Sequence, residues 1–297
     1  ALSTGAIAVG GTLGVVIPPS VVLIVIAVQT EQSLLRLFVA AVVPGLILTA
    51  LFLATIFWMC KRNPALGPLG PQTTWGEKIR ALTGVIEALL LFGLVIGGLY
   101  MGWFTPTEAG AAGAFGALAI GLLQRSLDFK GIVLSIVESV RISAMVLLLI
   151  AGAVLFGRFL TVSRLPFELA EWAATLPVAP FVILLVVLGI YIIGGMLMDA
   201  LGFLVVTTPI FFPLGVALGY DPVWFTVILT IVTTMGAVTP PVGVNVFIVH
   251  GLAPEVPIHT IFRGVLYFMV SFVLCILMMW VFPATVTGLP NWMLGAG

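Results

Sequence analysis

The chain has 297 residues, of which 62% are hydrophobic and 7% are charged, and its 11 basic side chains balance its 11 acidic ones. Soluble domains are about 45–50% apolar and about 25% charged, so this composition excludes a water-soluble globule and predicts a protein surrounded by the lipid bilayer. The lack of a basic run excludes nucleic-acid binding, which needs many cationic side chains to neutralise phosphates.

A bilayer core about 30 Å thick requires about 20 apolar residues per helix. On this scale the sequence predicts membrane spans at 13–29, 37–59, 81–101, 106–124, 132–160 and 260–284. Between these spans, 61–80 is rich in Pro, Gly and basic residues and predicts a solvated connector. The segment 161–179 carries Arg and Trp and predicts an interfacial position. Basic residues flank the spans at 61–80 and 125–130, which predicts that both segments face the cytoplasm.

Two apolar runs are too long for single spans. The run 181–218 would extend about 57 Å as one helix at about 1.5 Å per residue, and its only charge is Asp199. It must therefore fold back or break, and the candidate break points are Gly194, Gly195, Asp199, Pro209 and Pro213. The run 223–253 is expected to break at Thr239, Pro240 and Pro241.

Two carboxylates each allow a structural and a functional interpretation. A charge at membrane depth costs about 2.5 kcal/mol or more, so Asp199 should face a partner or water. It can cap the helix that follows it, or it can bind a cation or brace the second break. Glu108 follows Thr105 as a cap and Pro106 as the first helical residue, which predicts a well-formed helix start and leaves a role in the site open.

The chain contains an internal repeat. Gly14-Val-Val-Ile-Pro18-Pro19 matches Gly236-Ala-Val-Thr-Pro240-Pro241 at an offset of 222 residues, and an apolar run, a polar turn and an Arg follow each copy. Duplicated halves with interrupted helices are typical of secondary transporters, whose binding sites lie at the midplane between the breaks. We therefore predict two repeats, 1–131 and 132–297, with about 90 residues of the first repeat absent at its N-terminal end.

The two breaks are the candidate binding site. Each Pro-Pro pair removes backbone donors, and the freed carbonyls are tolerated in hydrocarbon only where they are buried in protein or line a wet cavity. Carbonyl, hydroxyl and amide oxygens suit a hard monovalent cation, and the helix N-termini after the breaks favour an anionic substrate. Proline kinks that only shape packing are the structural alternative. The candidate residues are Gly11, Thr12, Gly14, Pro18, Pro19 and Ser20 at the first break, and Gly236, Thr239, Pro240, Pro241, Gly243 and Asn245 at the second.

The sequence gives no sign of enzyme chemistry. The HExxH, GxSxG and Walker A motifs are absent, and the two histidines, His250 and His259, are isolated from the two cysteines. Without a nucleophile–base pair or a metal cluster, we expect neither catalysis nor an organic cofactor. A passive channel-like pore that uses the same carbonyl-lined breaks is an alternative to an ion-coupled carrier.

Four motifs in order carry a family resemblance: GGTLGVVIPPS (10–20), FTPTEAGA (104–111), GMLMDALGFLVVTTPIFFPL (195–214) and TPPVGVNVF (239–247). Together they resemble the large membrane subunit of the tripartite ATP-independent periplasmic (TRAP) transporters, within the ion transporter superfamily. Each motif alone is modest, but four in this order are specific. The early part of the first repeat, present in that family, is absent from this chain.

The resemblance implies an all-α integral membrane protein of the bacterial inner membrane, with inverted repeats, discontinuous helices, re-entrant hairpins and an elevator mechanism. It also implies a small four-helix membrane subunit, a periplasmic solute-binding protein, a small organic anion such as a C4-dicarboxylate or sialic acid, and sodium as the coupling ion. By this analogy the hairpin tips at the two breaks hold sodium and substrate, and Asp199 lies with Thr207 and Thr208 on the adjoining helix. Sodium would then be held by Asp199, Thr239, Asn245 and the backbone of both breaks. An ion-coupled carboxylate carrier without a binding protein is a further alternative.

Overall fold

A computed structural model describes residues 1–67 and 74–295, except for the side chains of 78–84, 170 and 174. The described residues are helical throughout, with one short 3-10 helix at Pro64–Leu66 and no strand among them. The α-helices in chain order are α1 (Leu2–Val16), α2 (Val21–Thr30), α3 (Leu34–Arg62), α4 (Trp75–Tyr100), α5 (Pro106–Leu123), α6 (Phe129–Ser163), α7 (Leu165–Thr175), α8 (Pro180–Leu197), α9 (Ala200–Ala217), α10 (Pro222–Gly236), α11 (Val244–Leu252), α12 (Ile258–Val281) and α13 (Ala284–Leu294).

The predicted class, an all-α multi-pass membrane protein, is confirmed. Among the described residues, seven helical stretches are long and apolar enough to cross a bilayer, counting α1 and α2 as one stretch. Many apolar side chains of these helices are exposed, including Leu147 and Leu148 of α6 at 66% and 75%. A helix that exposes apolar side chains on this scale requires lipid or another protein around it.

The connector predicted at 61–80 is shorter than expected. Helix α3 continues through Lys61 and Arg62, and α4 already begins at Trp75. The early start has a local cause, because Glu77 Oε2 accepts a 2.8 Å bond from Thr74 N and Thr74 Oγ1 accepts a 3.3 Å bond from Glu77 N. This reciprocal capping box satisfies two donors at the helix start. Residues 68–73 of the predicted connector lie outside the described residues.

The long run at 181–218 breaks at one of its candidate points. Helix α8 ends at Leu197 and α9 begins at Ala200, with Asp199 between them. The other four candidates do not break the chain, since Gly194 and Gly195 lie within α8 and Pro209 and Pro213 lie within α9. Asp199 marks the break because its carboxylate caps the new helix, whereas the two prolines leave α9 helical.

The helices around the two proline pairs correspond in order and length. Helices α1 and α10 each have 15 residues, and α2 and α11 have 10 and 9 residues. Both Pro-Pro peptide bonds are cis. The two arms at either break make little contact with each other and pack mainly on other helices, with α1 against α12 and α10 against α8. The geometry is therefore that of discontinuous helices, as the sequence predicted.

Contacts divide the chain into two compact units, one of 1–68 with 149–297 and one of 69–148. These units do not coincide with the predicted repeats 1–131 and 132–297, which stay a prediction. In the second unit α4 and α5 pack together, joined by a turn at 101–105, and Arg141 pairs with Glu138 at 3.8 Å as their spacing predicts.

The core of the first unit is built around α10. This helix is buried on all faces, including the hydroxyl side chains of Thr226, Thr230, Thr233 and Thr234. Each of these hydroxyls donates to a carbonyl of its own helix at 2.7–2.9 Å, so the polar groups are satisfied without water. Helix α10 therefore provides a rigid support for the break that follows it.

Close backbone contact joins α10 to α8. A Cβ placed on Gly236 would lie 2.5 Å from Ile192 O and 2.9 Å from Gly195 Cα. Only two glycines permit the helices to approach so closely. The contact fixes the end of α8, and with it the turn at Asp199, beside the second break.

Candidate functional site

At the first break the backbone carbonyl of Gly14 has lost its helical donor and has no replacement in the part of the chain that the structure describes. In a continuous helix Pro18 and Pro19 would donate to Gly14 O and Val15 O, but proline has no N–H. The hydroxyl of Ser20 replaces one donor, since its Oγ lies 2.5 Å from Val15 O. No donor among the described residues reaches Gly14 O. This carbonyl is therefore free to accept a ligand.

The free carbonyl lies on a face made of glycine. Gly10, Gly11 and Gly14 are all exposed, and a Cβ placed on Gly10 or Gly14 would meet nothing within 4 Å. A Cβ placed on Gly11 would lie 3.7 Å from Asn245 Nδ2, so this face adjoins the start of α11. Thr12, predicted as a site residue, is fully buried on the other side of α1 and donates to Val9 O at 2.5 Å.

The second break satisfies its carbonyls differently. Its prolines follow Gly236 and Ala237 by four residues, so both of these carbonyls lose their helical donors. Gly236 O accepts a 2.8 Å bond from Thr239 N, and Ala237 O accepts a 3.2 Å bond from Asn245 N. Of the carbonyls that lose a proline donor, both are therefore hydrogen-bonded at the second break, whereas Gly14 O stays free at the first. Pro240 and Pro241 are themselves exposed.

Two side chains of the second break remain candidates for ligand contact. The Thr239 hydroxyl is partly exposed and donates to Met235 O at 2.6 Å, which leaves its oxygen lone pairs available. The Asn245 side chain is partly exposed, and no described residue forms a hydrogen bond with its amide. Thr239 and Asn245 thus carry unused oxygen acceptors at the second break, and the Asn245 amide lies beside the glycine face of α1 through its Nδ2.

Gly243 joins the second break to the Asp199 turn. Its φ of +61° lies in the left-handed region that favours glycine. In this conformation its N–H donates to Met196 O at 3.3 Å, three residues before Asp199. A backbone hydrogen bond therefore joins the second break to the turn at the end of α8.

Asp199 serves as the N-cap of α9. Its exposed carboxylate accepts hydrogen bonds from Leu201 N at 3.0 Å and Gly202 N at 3.5 Å through one oxygen, Oδ2. The structural interpretation of Asp199 is thus realised. The second carboxylate oxygen accepts no hydrogen bond from described residues, so a cation role is compatible with the cap.

Thr207 and Thr208 lie on α9, the helix that Asp199 caps, but at a distance from its carboxylate. They lie eight and nine residues further along α9, which is about 12–13 Å at 1.5 Å per residue. Both are buried, and their hydroxyls donate to Phe203 O at 2.8 Å and Leu204 O at 2.6 Å. The structure brings together the glycine face, Asn245, Gly243 and the Asp199 turn, and it places the two threonines elsewhere on α9.

Glu108 belongs to the second unit, as part of a capping box. Its Oε2 accepts a 2.8 Å bond from Thr105 N, and Thr105 Oγ1 accepts a 3.4 Å bond from Glu108 N. This is the structural role that the sequence predicted for Glu108, and it accounts for the residue without a ligand.

Sequence reasoning missed two polar side chains, Gln29 and Gln32. They lie at the end of α2, where Gln29 Nε2 donates to Val205 O of α9 and Gln32 Nε2 donates to Thr226 Oγ1 of α10. The available signal was a pair of amides directly after an apolar run, since an amide beside a membrane span needs a partner.

Comparison with known proteins places these features in context. The family model described as "Tripartite ATP-independent periplasmic transporter, DctM component" matches residues 1–285. A C4-dicarboxylate TRAP transporter large permease of Pseudomonas aeruginosa is 33% identical over 296 residues, covering 99% of this chain and 68% of the relative. A sialic acid TRAP transporter large permease of Vibrio cholerae is 31% identical, covering 96% and 66%. A 2,3-diketo-L-gulonate TRAP transporter large permease of Escherichia coli is 31% identical, covering 84% and 59%. The chain thus spans about two thirds of the first two relatives.

Proposed function

The chain belongs to the DctM component family of tripartite ATP-independent periplasmic transporters, and we propose that it forms the binding part of a sodium-coupled permease that imports a small organic anion. The observation that carries the proposal is the meeting of the two interrupted helices. The glycine face of α1 adjoins Asn245 at the start of α11, and the free carbonyl of Gly14 lies on that face.

Sodium is proposed because the available ligands are oxygens with little charge. Three neutral oxygen acceptors are available: Gly14 O, Thr239 Oγ1 and the oxygen of the Asn245 amide. The Asp199 carboxylate adds a charged acceptor. It lies three residues after Met196, whose carbonyl accepts a hydrogen bond from Gly243 N at the second break. Hard cations take carbonyl, hydroxyl and carboxylate oxygens. The C-terminal ends of α1 and α10 add negative partial charge at the breaks, which favours a cation further.

The N-terminal ends of the two helices that follow the breaks support an organic anion as the substrate. Helices α2 and α11 begin directly after the breaks, and α11 has no side-chain cap at its start. Free N–H groups at a helix N-terminus bind carboxylate or phosphate. The names of the relatives from P. aeruginosa, V. cholerae and E. coli refer to a dicarboxylate, sialic acid and a gulonate, all of which are carboxylates.

The partners are proposed from the family. A tripartite carrier comprises a large permease, a small membrane subunit of four helices and a periplasmic solute-binding protein that delivers the anion. We place the complex in the bacterial inner membrane and propose an elevator movement for alternating access. Because the chain spans about two thirds of its relatives, the full permease is the functional unit.

The test is uptake of a labelled carboxylate by the complete complex in proteoliposomes. With binding protein present, replacing external sodium by potassium should abolish accumulation, because potassium is larger than sodium and should not fit oxygen ligands arranged for the smaller ion. Accumulation that persists in potassium would refute sodium coupling, and flux that follows the anion gradient alone without saturation would indicate a pore. Uptake that is unchanged when the binding protein is omitted would refute the tripartite assembly.

A further inference from the structure

Helix α9 contains a proline whose missing donor is supplied by another helix. Pro209 removes the N–H that Val205 O would accept in a regular helix. Within a membrane protein such a carbonyl is costly unless it finds a replacement donor, water or a ligand. Gln29 Nε2 lies 3.0 Å from Val205 O, although the two residues are 176 positions apart in the chain. Gln29 therefore supplies the donor that Val205 O of α9 lacks.

The orientation of both amides at the end of α2 follows from their partners. A carbonyl only accepts, so the nitrogen of Gln29 must face Val205 O. Gln32 Nε2 lies 2.9 Å from Thr30 Oγ1 and 2.8 Å from Thr226 Oγ1. Both hydroxyls already donate to carbonyls of their own helices, at 2.7 and 2.9 Å, so both accept from Gln32. The two glutamines thus connect α2 to α9 and α10 by directed bonds.

We propose that Gln29 is a positioning residue, which replaces the donor lost at Pro209 and thereby holds the Thr207–Thr208 segment of α9 against α2. Helix α2 follows the first break and α9 follows the Asp199 turn. The bond thus joins two elements that lead out of the binding region, and it fixes their relative position. The proposal concerns this bond alone and does not depend on which cation is transported.

Pro213 provides an internal control. It lies in the same helix and removes the donor of Pro209 O in the same way. No side chain among the described residues donates to Pro209 O. A substitution that restores the N–H at 213 should therefore be independent of Gln29, whereas one that restores the N–H at 209 should make Gln29 dispensable.

The experiment is a double-mutant cycle on the purified complete complex, followed by thermal unfolding. Gln29→Met removes the donor at similar length and should lower the unfolding midpoint by about 3 °C. In the Pro209→Ala background the new backbone N–H reaches Val205 O, so Gln29→Met should change the midpoint by less than about 1 °C. In the Pro213→Ala background the full loss should remain. An equal loss in all three backgrounds would overturn the proposal, and so would no loss in any of them.

A second pair of variants keeps the test decisive if Pro209→Ala does not fold. Gln29→Glu places an acceptor carboxylate against Val205 O, so it should lower the midpoint more than Gln29→Met. Equal stability of both variants and the unmodified complex would contradict the role of Gln29.

Transport kinetics separate positioning from simple stability. In proteoliposomes, Gln29→Met should raise the apparent KM for the coupling cation about threefold with little change in maximal rate, and Pro209→Ala should restore it. This readout rests on the proposed function. If uptake proves independent of sodium, the unfolding cycle still decides the role of Gln29, so the two failures are distinguishable. A KM that Gln29→Met leaves unchanged would limit Gln29 to stability and refute its positioning role.

Discussion

Gly14→Ala separates the stability of the first break from its function. A Cβ at Gly14 would meet nothing within 4 Å, so the substitution introduces no clash in this structure. Alanine favours a helix over glycine by about 1 kcal/mol, which corresponds to a rise of about 2–4 °C in unfolding midpoint. The folded permease should therefore be at least as stable as the unmodified one.

The same methyl group should impair transport, because it fills the space beside the free carbonyl of Gly14. Losing one hydrogen bond to a charged ligand weakens the binding free energy by about 1.5 kcal/mol. Each 1.4 kcal/mol corresponds to about a tenfold change in affinity. We therefore expect the sodium concentration for half-maximal uptake to rise about tenfold in Gly14→Ala, measured in proteoliposomes that contain the complete complex.

Gly152→Ala is the matched control. Gly152 lies in α6 and a Cβ there also meets nothing within 4 Å, but the residue belongs to no break. It should gain similar stability and keep normal sodium dependence. If the two variants show the same uptake at every sodium concentration, the glycine face of α1 does not contact a ligand, and the reasoning from the free carbonyl fails.

Three further substitutions test the site. Asp199→Asn keeps an effective N-cap, so we expect normal expression with about tenfold weaker sodium dependence of uptake; loss of folded protein would favour a packing role. Asn245→Ala removes an amide without a hydrogen bond, so uptake should fall at least about tenfold at unchanged unfolding midpoint, and wild-type kinetics would remove Asn245 from the site. Gly236→Ala places a Cβ 2.5 Å from Ile192 O, so it should lower the midpoint by several degrees in thermal unfolding, whereas normal stability would contradict the close approach of α8 and α10.

The positions of the prolines predicted the discontinuous helices, but they did not predict whether each freed carbonyl is hydrogen-bonded. The prolines at 18, 19, 240 and 241 mark where donors are lost, and this is a local property of the chain. Whether a freed carbonyl finds another donor depends on residues that approach from elsewhere. Val15 O is satisfied by Ser20, Val205 O is satisfied by Gln29, and Gly14 O is left free.

The break at Asp199 shows the same limit. Composition required the run 181–218 to be interrupted, because one helix of that length exceeds the bilayer. It could not distinguish Asp199 from Pro209 and Pro213, since all three are residues that end helices. The capping bond from Leu201 N to Asp199 places the break there, and α9 continues through both prolines.

The sequence by itself determined that this protein lies in a membrane, that its spans are helices and that two of them are interrupted at matching positions. These properties depend on hydrophobicity and on the missing N–H of proline, which each segment carries without reference to the rest of the chain. Tertiary structure alone decided that the glycine face of α1 adjoins Asn245, that Gly243 bonds to Met196 beside the Asp199 turn, and that Gln29 supports α9. Such contacts join residues far apart in the chain, and they form only when helices approach closely enough for a backbone or amide group to find its partner.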